Sequence, residues 1–211
     1  VFQTQEEIDS YISPATGKPI QPNAAPGDTK FEDLNGDGVI SDDNEDRTMI
    51  GKPNPDWMVG LTVAADWNGF DLSAFFQGSF GADVFDALRR YELAAVNYTS
   101  DALERWTGPG TSNSMPRIVL GDTPKNFRPS TLLVHDASFL RLRNLQVGYT
   151  LPAQLTRKAY IQRLRFYASF DNLLTITGYK GMDPEIGSTM GIDKGVYPQA
   201  RVYTFGLNLT F

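Results

Sequence analysis

Apolar and polar residues alternate along several stretches of this chain. In WMVGLTVAADW, residues 57 to 67, Trp57, Val59, Leu61, Val63, Ala65 and Trp67 share one face, and that face carries no charge. Period-2 alternation of this kind predicts a β-strand with one oily side. Asn68-Gly69 follows, a pair suited to the two φ > 0 positions of a type I′ turn. A two-residue turn fixes register, so Trp67 should face Phe70, Ala65 should face Leu72, Val63 Ala74 and Leu61 Phe76. The opposite face carries Thr62, Asp66, Asp71, Ser73 and Gln77.

Three more strands are predicted in SFLRLRNLQVGYTLP (138 to 152), RLRFYASFDNLLTIT (163 to 177) and RVYTFGLNLTF (201 to 211). Alternation is clean in the second, where Leu164, Phe166, Ala168 and Phe170 oppose Arg165, Tyr167, Ser169 and Asp171. In the first it breaks: Leu140 and Leu142 lie out of phase with Leu145, Val147 and Tyr149, which predicts a bulge or bend near Arg143-Asn144. Connections are short at 68 to 69, long at 81 to 137, short at 153 to 162 and long at 178 to 200, so one end of the sheet should carry tight turns and the other large loops.

Long strands, an uncharged face bordered by Trp, Phe and Tyr, and short turns on one side only are the pattern of an antiparallel transmembrane β-barrel. In lipid every backbone polar group must be paired within the protein, which a closed barrel achieves. A soluble β-sandwich alternates in the same way. The terminal stretch favours the barrel: Thr204, Gly206, Leu209 and Phe211 match a polar-x-Gly-x-x-apolar-x-aromatic ending that resembles the assembly signal of bacterial outer-membrane barrels. Composition narrows the classes further. The 211 residues are 41% hydrophobic and 21% charged, enough for a folded core. A net charge of -6 argues against a nucleic-acid surface, and the absence of cysteine removes thiol chemistry and disulfides. No apolar run is long enough for a transmembrane helix, and VFQTQEEIDSYIS has no signal-peptide pattern.

Several stretches in order, GDTKFEDLNGDGVI with DRTMIGKPNPDW, GFDLSAFFQGSFGADVF, SFLRLRNLQVGYTLP, DNLLTITGYKGMDPE and YPQARVYTFGLNLTF, resemble the C-terminal part of SusC/RagA-like, TonB-dependent outer-membrane transporters. The resemblance runs from about residue 27 to 211. It implies a 22-stranded barrel with an N-terminal plug, a SusD-like surface lipoprotein as lid, and a TonB complex that acts on the plug. About five strands are present here, and five cannot close a barrel, so the chain is expected to be the last segment of a longer protein. On that reading residues 1 to 56 are an extracellular loop region, and 57 to 211 are barrel strands with a long, partly helical loop at 81 to 137.

The sharpest chemical motif is DLNGDGVISDDNED, residues 33 to 46. Asp33, Asn35 and Asp37 stand at positions 1, 3 and 5 of an EF-hand-like loop, Gly38 supplies the sharp turn, and Val39 would offer its carbonyl. Ser41 falls at the next alternate position. Asn44 stands where a bidentate acid is expected; the family pattern, with an Asp before Arg-Thr, points instead to Asp46 before Arg47-Thr48. Asp42 and Asp43 are substitutes. Hard oxygen donors of this kind suit Ca²⁺ or Mg²⁺, and the alternative is a solvated acidic turn. No flanking helix pair suggests a sensor.

Catalysis has little support, because His135 is the only histidine and no nucleophile motif accompanies it. Residues 83 to 106 predict a helix with Val84, Leu88 and Tyr91 on one stripe, packing on the barrel wall or meeting a lid. Trp106 reads as a sugar platform or an interfacial anchor. The expected function is therefore uptake of an oligosaccharide or peptide through the outer membrane, without an enzymatic step. The alternative is a soluble, calcium-stabilised β-sandwich that binds glycans.

Overall fold

The computed structural model describes the chain except for residues 42–44, 89, 90, 92, 94, 96, 186–189 and 196. Two compact units emerge, one of Val1–Gly51 with Asp86–Val134, the other of Lys52–Phe85 with His135–Phe211.

The second unit is built on a five-stranded antiparallel sheet of β1 (Trp57–Trp67), β2 (Phe70–Phe80), β5 (Phe139–Thr150), β6 (Arg163–Thr177) and β8 (Val202–Thr210), in that order. Asn68 and Gly69 have φ of 50° and 89°, as a type I′ turn requires. The turn sets the expected register, with Trp67 opposite Phe70, Ala65 opposite Leu72, Val63 opposite Ala74 and Leu61 opposite Phe76. The phase break in β5 is a bulge: Leu142 pairs with Phe76 and Asn144 with Phe75, which leaves Arg143 without a partner on β2. The irregularity continues against β6, where Leu142 meets Leu174 and Asn144 meets Asp171. Asn172, inside that gap, adopts φ of 53°, a conformation Asn tolerates better than most residues.

The oily face of the sheet is uncovered. Trp57 and Trp67 on β1 are 73% and 76% exposed, and Phe205 on β8 is 74% exposed. No second sheet lies on this face among the described residues, which is what a sandwich would need. A contiguous apolar surface of this kind marks a face meant for lipid or a partner. No helix among the described residues is long and apolar enough to cross a membrane.

A smaller sheet in the order β4-β3-β7 joins β3 (Asp83–Asp86), β4 (Val134–Asp136) and β7 (Ile192–Asp193). Ala137 donates its N–H to the Ala82 carbonyl at 2.8 Å, so the chain leaves the large sheet and returns at one point. Val84, Ala137 and Tyr179 pack together there, and the Tyr179 hydroxyl donates to Asp193 at 2.7 Å.

The first unit has little regular structure. Its α-helix among the described residues, α1 (Gln5–Ser10), is capped by the Thr4 hydroxyl, which accepts the Glu7 N–H at 3.2 Å. Tyr91, Ala102 and Met115 form an apolar core joined by Ile118 and Phe127. Beside it lies a polar one. The buried Asp28 carboxylate accepts from Arg117 Nε at 2.6 Å, Arg117 Nη2 at 3.1 Å, Asn126 Nδ2 at 3.0 Å and the Ala25 N–H at 2.8 Å. Gly27, at φ of 91°, sits under the Trp106 ring, and a Cβ there would collide with it.

The helix expected over 83 to 106 does not form at either end. Asp83–Asp86 pairs as β3, and Ser100–Glu104 is a single 3₁₀ stretch, while 89, 90, 92, 94 and 96 lie outside the described residues. The spacing of Val84 and Tyr91 suggested one stripe, yet Val84 packs with Ala137 and Tyr179, and Tyr91 packs with Ala102 and Met115. Strand pairing through the Phe85 N–H to the Gly191 carbonyl overrides the local helical pattern.

Candidate functional site

Charged side chains cluster on the polar face of the sheet. Arg141 on β5 is 2% exposed and has three partners: Asp183 at 2.6 Å, Glu185 at 2.8 Å and the Thr175 hydroxyl at 2.9 Å. Arg143, on the bulge, reaches the same face and contacts Glu185, Gln77 at 2.7 Å and Asn172 at 3.2 Å. Glu185 is thus held by two guanidinium groups, one at each carboxylate oxygen. Burial pushes the Asp183 carboxyl up, but N–H groups of Glu185 and Gln199 and the Arg141 guanidinium more than offset it, so it stays below the usual carboxylate range. A cavity of about 300 Å³ opens beside this cluster, lined among others by Asn54, Gln77, Ser79, Phe139 and Glu185.

Nearer the other end of the same face, Arg165 on β6 donates to Asp71 on β2, with Nε to Oδ1 at 2.8 Å. The two residues sit on either side of β5, and their side chains meet above Gly148, where a Cβ would collide with both. A glycine is therefore what lets one ion pair bridge three strands.

In the first unit, the acidic turn closes on its own backbone. Asp33 accepts the N–H groups of Gly36 and Gly38, both at 2.8 Å. Asn35 accepts from Asp37 at 2.9 Å, and Asp37 accepts from Val39 at 2.8 Å. Asp46 reaches back to the Leu34 and Ser41 N–H groups at 3.1 and 2.8 Å. The hydrogen bond from the Ser41 N–H holds the Asp46 carboxyl below its ordinary range, with the Leu34 N–H adding to it. Gly36 and Gly38 take φ of 78° and 90°, and a Cβ on Gly38 would meet Ser13. The turn thus brings Asp33, Asn35, Asp37 and Asp46 into one structure, with Val39 and Ser41 tied to it through their N–H groups. Each carboxylate retains lone pairs beyond those given to the backbone. Among the described residues no group of three His, Cys, Asp or Glu stands close enough to hold a metal. Asp42, Asp43 and Asn44 lie outside the described residues.

On β8, Thr204 pairs with Ser169, Gly206 with Tyr167 and Leu209 with Leu164, and Phe211 follows the last paired residue. Gly206 has a local reason: the Tyr167 ring covers it, and a Cβ there would strike that ring. His135 packs its ring 6.2 Å from that of Tyr179. Trp106 covers Gly27 and donates its indole N–H to Gln3 at 3.2 Å, which gives it a structural task in its own unit. Sequence reasoning overlooked both the Arg141–Glu185 cluster and the Asp28 network; the one visible signal was an arginine inserted where β5 breaks phase.

No family model matches the chain. It is 36% identical over 197 residues to TonB-dependent receptor P3 of Formosa agariphila, covering 88% of this chain and 19% of that protein. It is 31% identical over 191 residues to TonB-dependent receptor SusC of Bacteroides thetaiotaomicron, covering 90% of this chain and 18% of that one. Among solved structures, the RagAB peptide importer in its closed-closed state aligns with a TM-score of 0.66 and 31% identity over 81% of this chain and 19% of that chain. The chain spans about a fifth of the length of the curated relatives it matches.

Proposed function

We propose that this chain, which belongs to the SusC/RagA-like TonB-dependent receptors, forms one wall of an energised outer-membrane importer for an oligosaccharide or peptide. The observation that carries the reading is the uncovered, uncharged apolar face of β1 and β8, rimmed by Trp57, Trp67, Phe205 and Phe211. Outer-membrane lipid would cover that face, the polar face would line the lumen, and the remaining strands of a 22-stranded barrel would pair with the free edges of β1 and β8. Phe211 with Thr204, Gly206 and Leu209 would serve as the assembly signal. A SusD-like surface lipoprotein would close the outer mouth, and a TonB complex would act through a plug. The RagAB relatives, described as peptide importers, support a peptide as cargo. Fractionation of cells making the full-length protein tests this: it should remain in the outer membrane until detergent is added, and release by salt or alkali alone would defeat the proposal.

The turn of residues 33 to 46 is proposed to bind Ca²⁺ or Mg²⁺ through Asp33, Asn35, Asp37, the Val39 carbonyl, Ser41 and Asp46. Its hard oxygen donors support this. Calorimetric titration with calcium should give saturable heat that Asp37→Ala weakens; no heat at millimolar ion would leave the motif a self-capped turn.

A further inference from the structure

Without Arg143, residues 140 to 149 of β5 would alternate, with Leu140, Leu142, Leu145, Val147 and Tyr149 on the apolar face and Arg141, Asn144, Gln146 and Gly148 on the other. The bulge therefore amounts to one arginine inserted into a regular strand, and bulges characteristically re-aim a side chain. That side chain comes beside Arg141, and the two grip opposite oxygens of Glu185. Two guanidinium groups on one carboxylate are a strong, geometry-specific anion site.

The arginines are also held independently of Glu185. Arg141 keeps Asp183 at 2.6 Å and Thr175 at 2.9 Å, and Arg143 keeps Gln77 at 2.7 Å and Asn172 at 3.2 Å. Were Glu185 to swing away, the pair would remain in place. Glu185 is the part that faces open space: its side chain is 24% exposed, and with Gln77 it borders the 300 Å³ cavity.

We propose that Arg141 and Arg143 form a carboxylate-binding subsite on the polar face, with Glu185 as a resident ligand that a carboxylate of the cargo displaces. This rests on the reading that the polar face lines the import path. The carboxylate belongs to a peptide terminus or to an acidic sugar, and the two sources are separable.

The test uses the purified full-length protein and trifluoroacetate observed by fluorine NMR. Glu185→Gln should bind the probe about tenfold more tightly than wild type, since removing one competing charged hydrogen-bond partner is worth at least that much. Adding Arg143→Gln should abolish the gain. Wild type compared with the single Arg143→Gln variant reads the site with Glu185 in place: binding should be weaker and lost on substitution. Trialanine free acid, trialanine amide and trigalacturonate then compete with the probe. Displacement by the free acid alone assigns a peptide terminus, and displacement by trigalacturonate alone assigns an acidic sugar. No gain in Glu185→Gln, a gain that survives Arg143→Gln, or equal competition by the amide would overturn the subsite. A protein found outside the outer membrane would defeat the importer reading and leave this binding result standing.

Discussion

Along β2 the backbone pairs with β1 on one side and β5 on the other, whereas in the turn of residues 33 to 46 the N–H groups of Gly36, Gly38, Val39 and Ser41 each find a carboxylate. The same contrast runs through both units. In the irregular unit Asp122 caps Asn126 and Phe127, Asn126 caps Thr29, and Gln21 caps Phe31. A sheet obtains its polar satisfaction from repetition, and an irregular fold adds side-chain caps to scattered backbone pairs. Much of the acidity of this chain is thus accounted for by backbone capping, whatever ions it also binds.

Substitutions that separate the two strategies sharpen the contrast. Asp28→Ala should have the largest effect, about 3 kcal/mol, because it removes the hub of a buried network and strands Asn126 and Arg117. Hydrogen exchange should show lost protection in residues 1 to 51 and 86 to 134, with β1, β2, β5, β6 and β8 unchanged; loss in the strands would break the distinction. Gly148→Val should come next, about 1–3 kcal/mol, by forcing Arg165 off Asp71. Its signature is the reverse: lost hydrogen-exchange protection in β2, β5 and β6, with the irregular unit still resisting protease.

Acid provides a milder probe. The Asp46 carboxyl sits below its ordinary range in the folded chain, so the unfolded state binds protons first as pH falls. Its stabilising contribution is complete above the unfolded value of about 3.9 and is lost as pH drops through the folded one. Limited proteolysis should therefore begin to cut within residues 33 to 46 below about pH 4, while strand protection holds. The smallest change is expected from Thr210→Ala, about 0.5 kcal/mol or less, since its side chain is exposed on β8. On the proposed importer reading the variant should reach the outer membrane normally, and failure to do so would mean that the strand end is read residue by residue.

What was legible in the sequence followed from strictly local rules. Asn68-Gly69 admits essentially one turn, so the pairing of β1 with β2 followed from two residues. The bulge was legible because an extra residue inverts the phase of Leu140 and Leu142 against Leu145. The charged cluster was not, since Arg141 lies 42 residues from Asp183 and no periodicity links a strand to a distant loop. The Asp28 network is more remote still, joining partners 89 and 98 residues away. The helix reading over 83 to 106 failed because Val84 and Tyr91 fit a helical spacing while serving two separate cores.

The hydrogen bond between the Ala137 N–H and the Ala82 carbonyl bears on how such a chain can change over generations. Because the chain departs and returns through one closed junction, the register of β2 against β5 does not depend on what lies between. Residues 87 to 133, between β3 and β4, can be lengthened, shortened or exchanged while the large sheet keeps its strand count and pairing. Recombination at that junction would alter what the irregular unit meets without asking the strands of the large sheet to adapt.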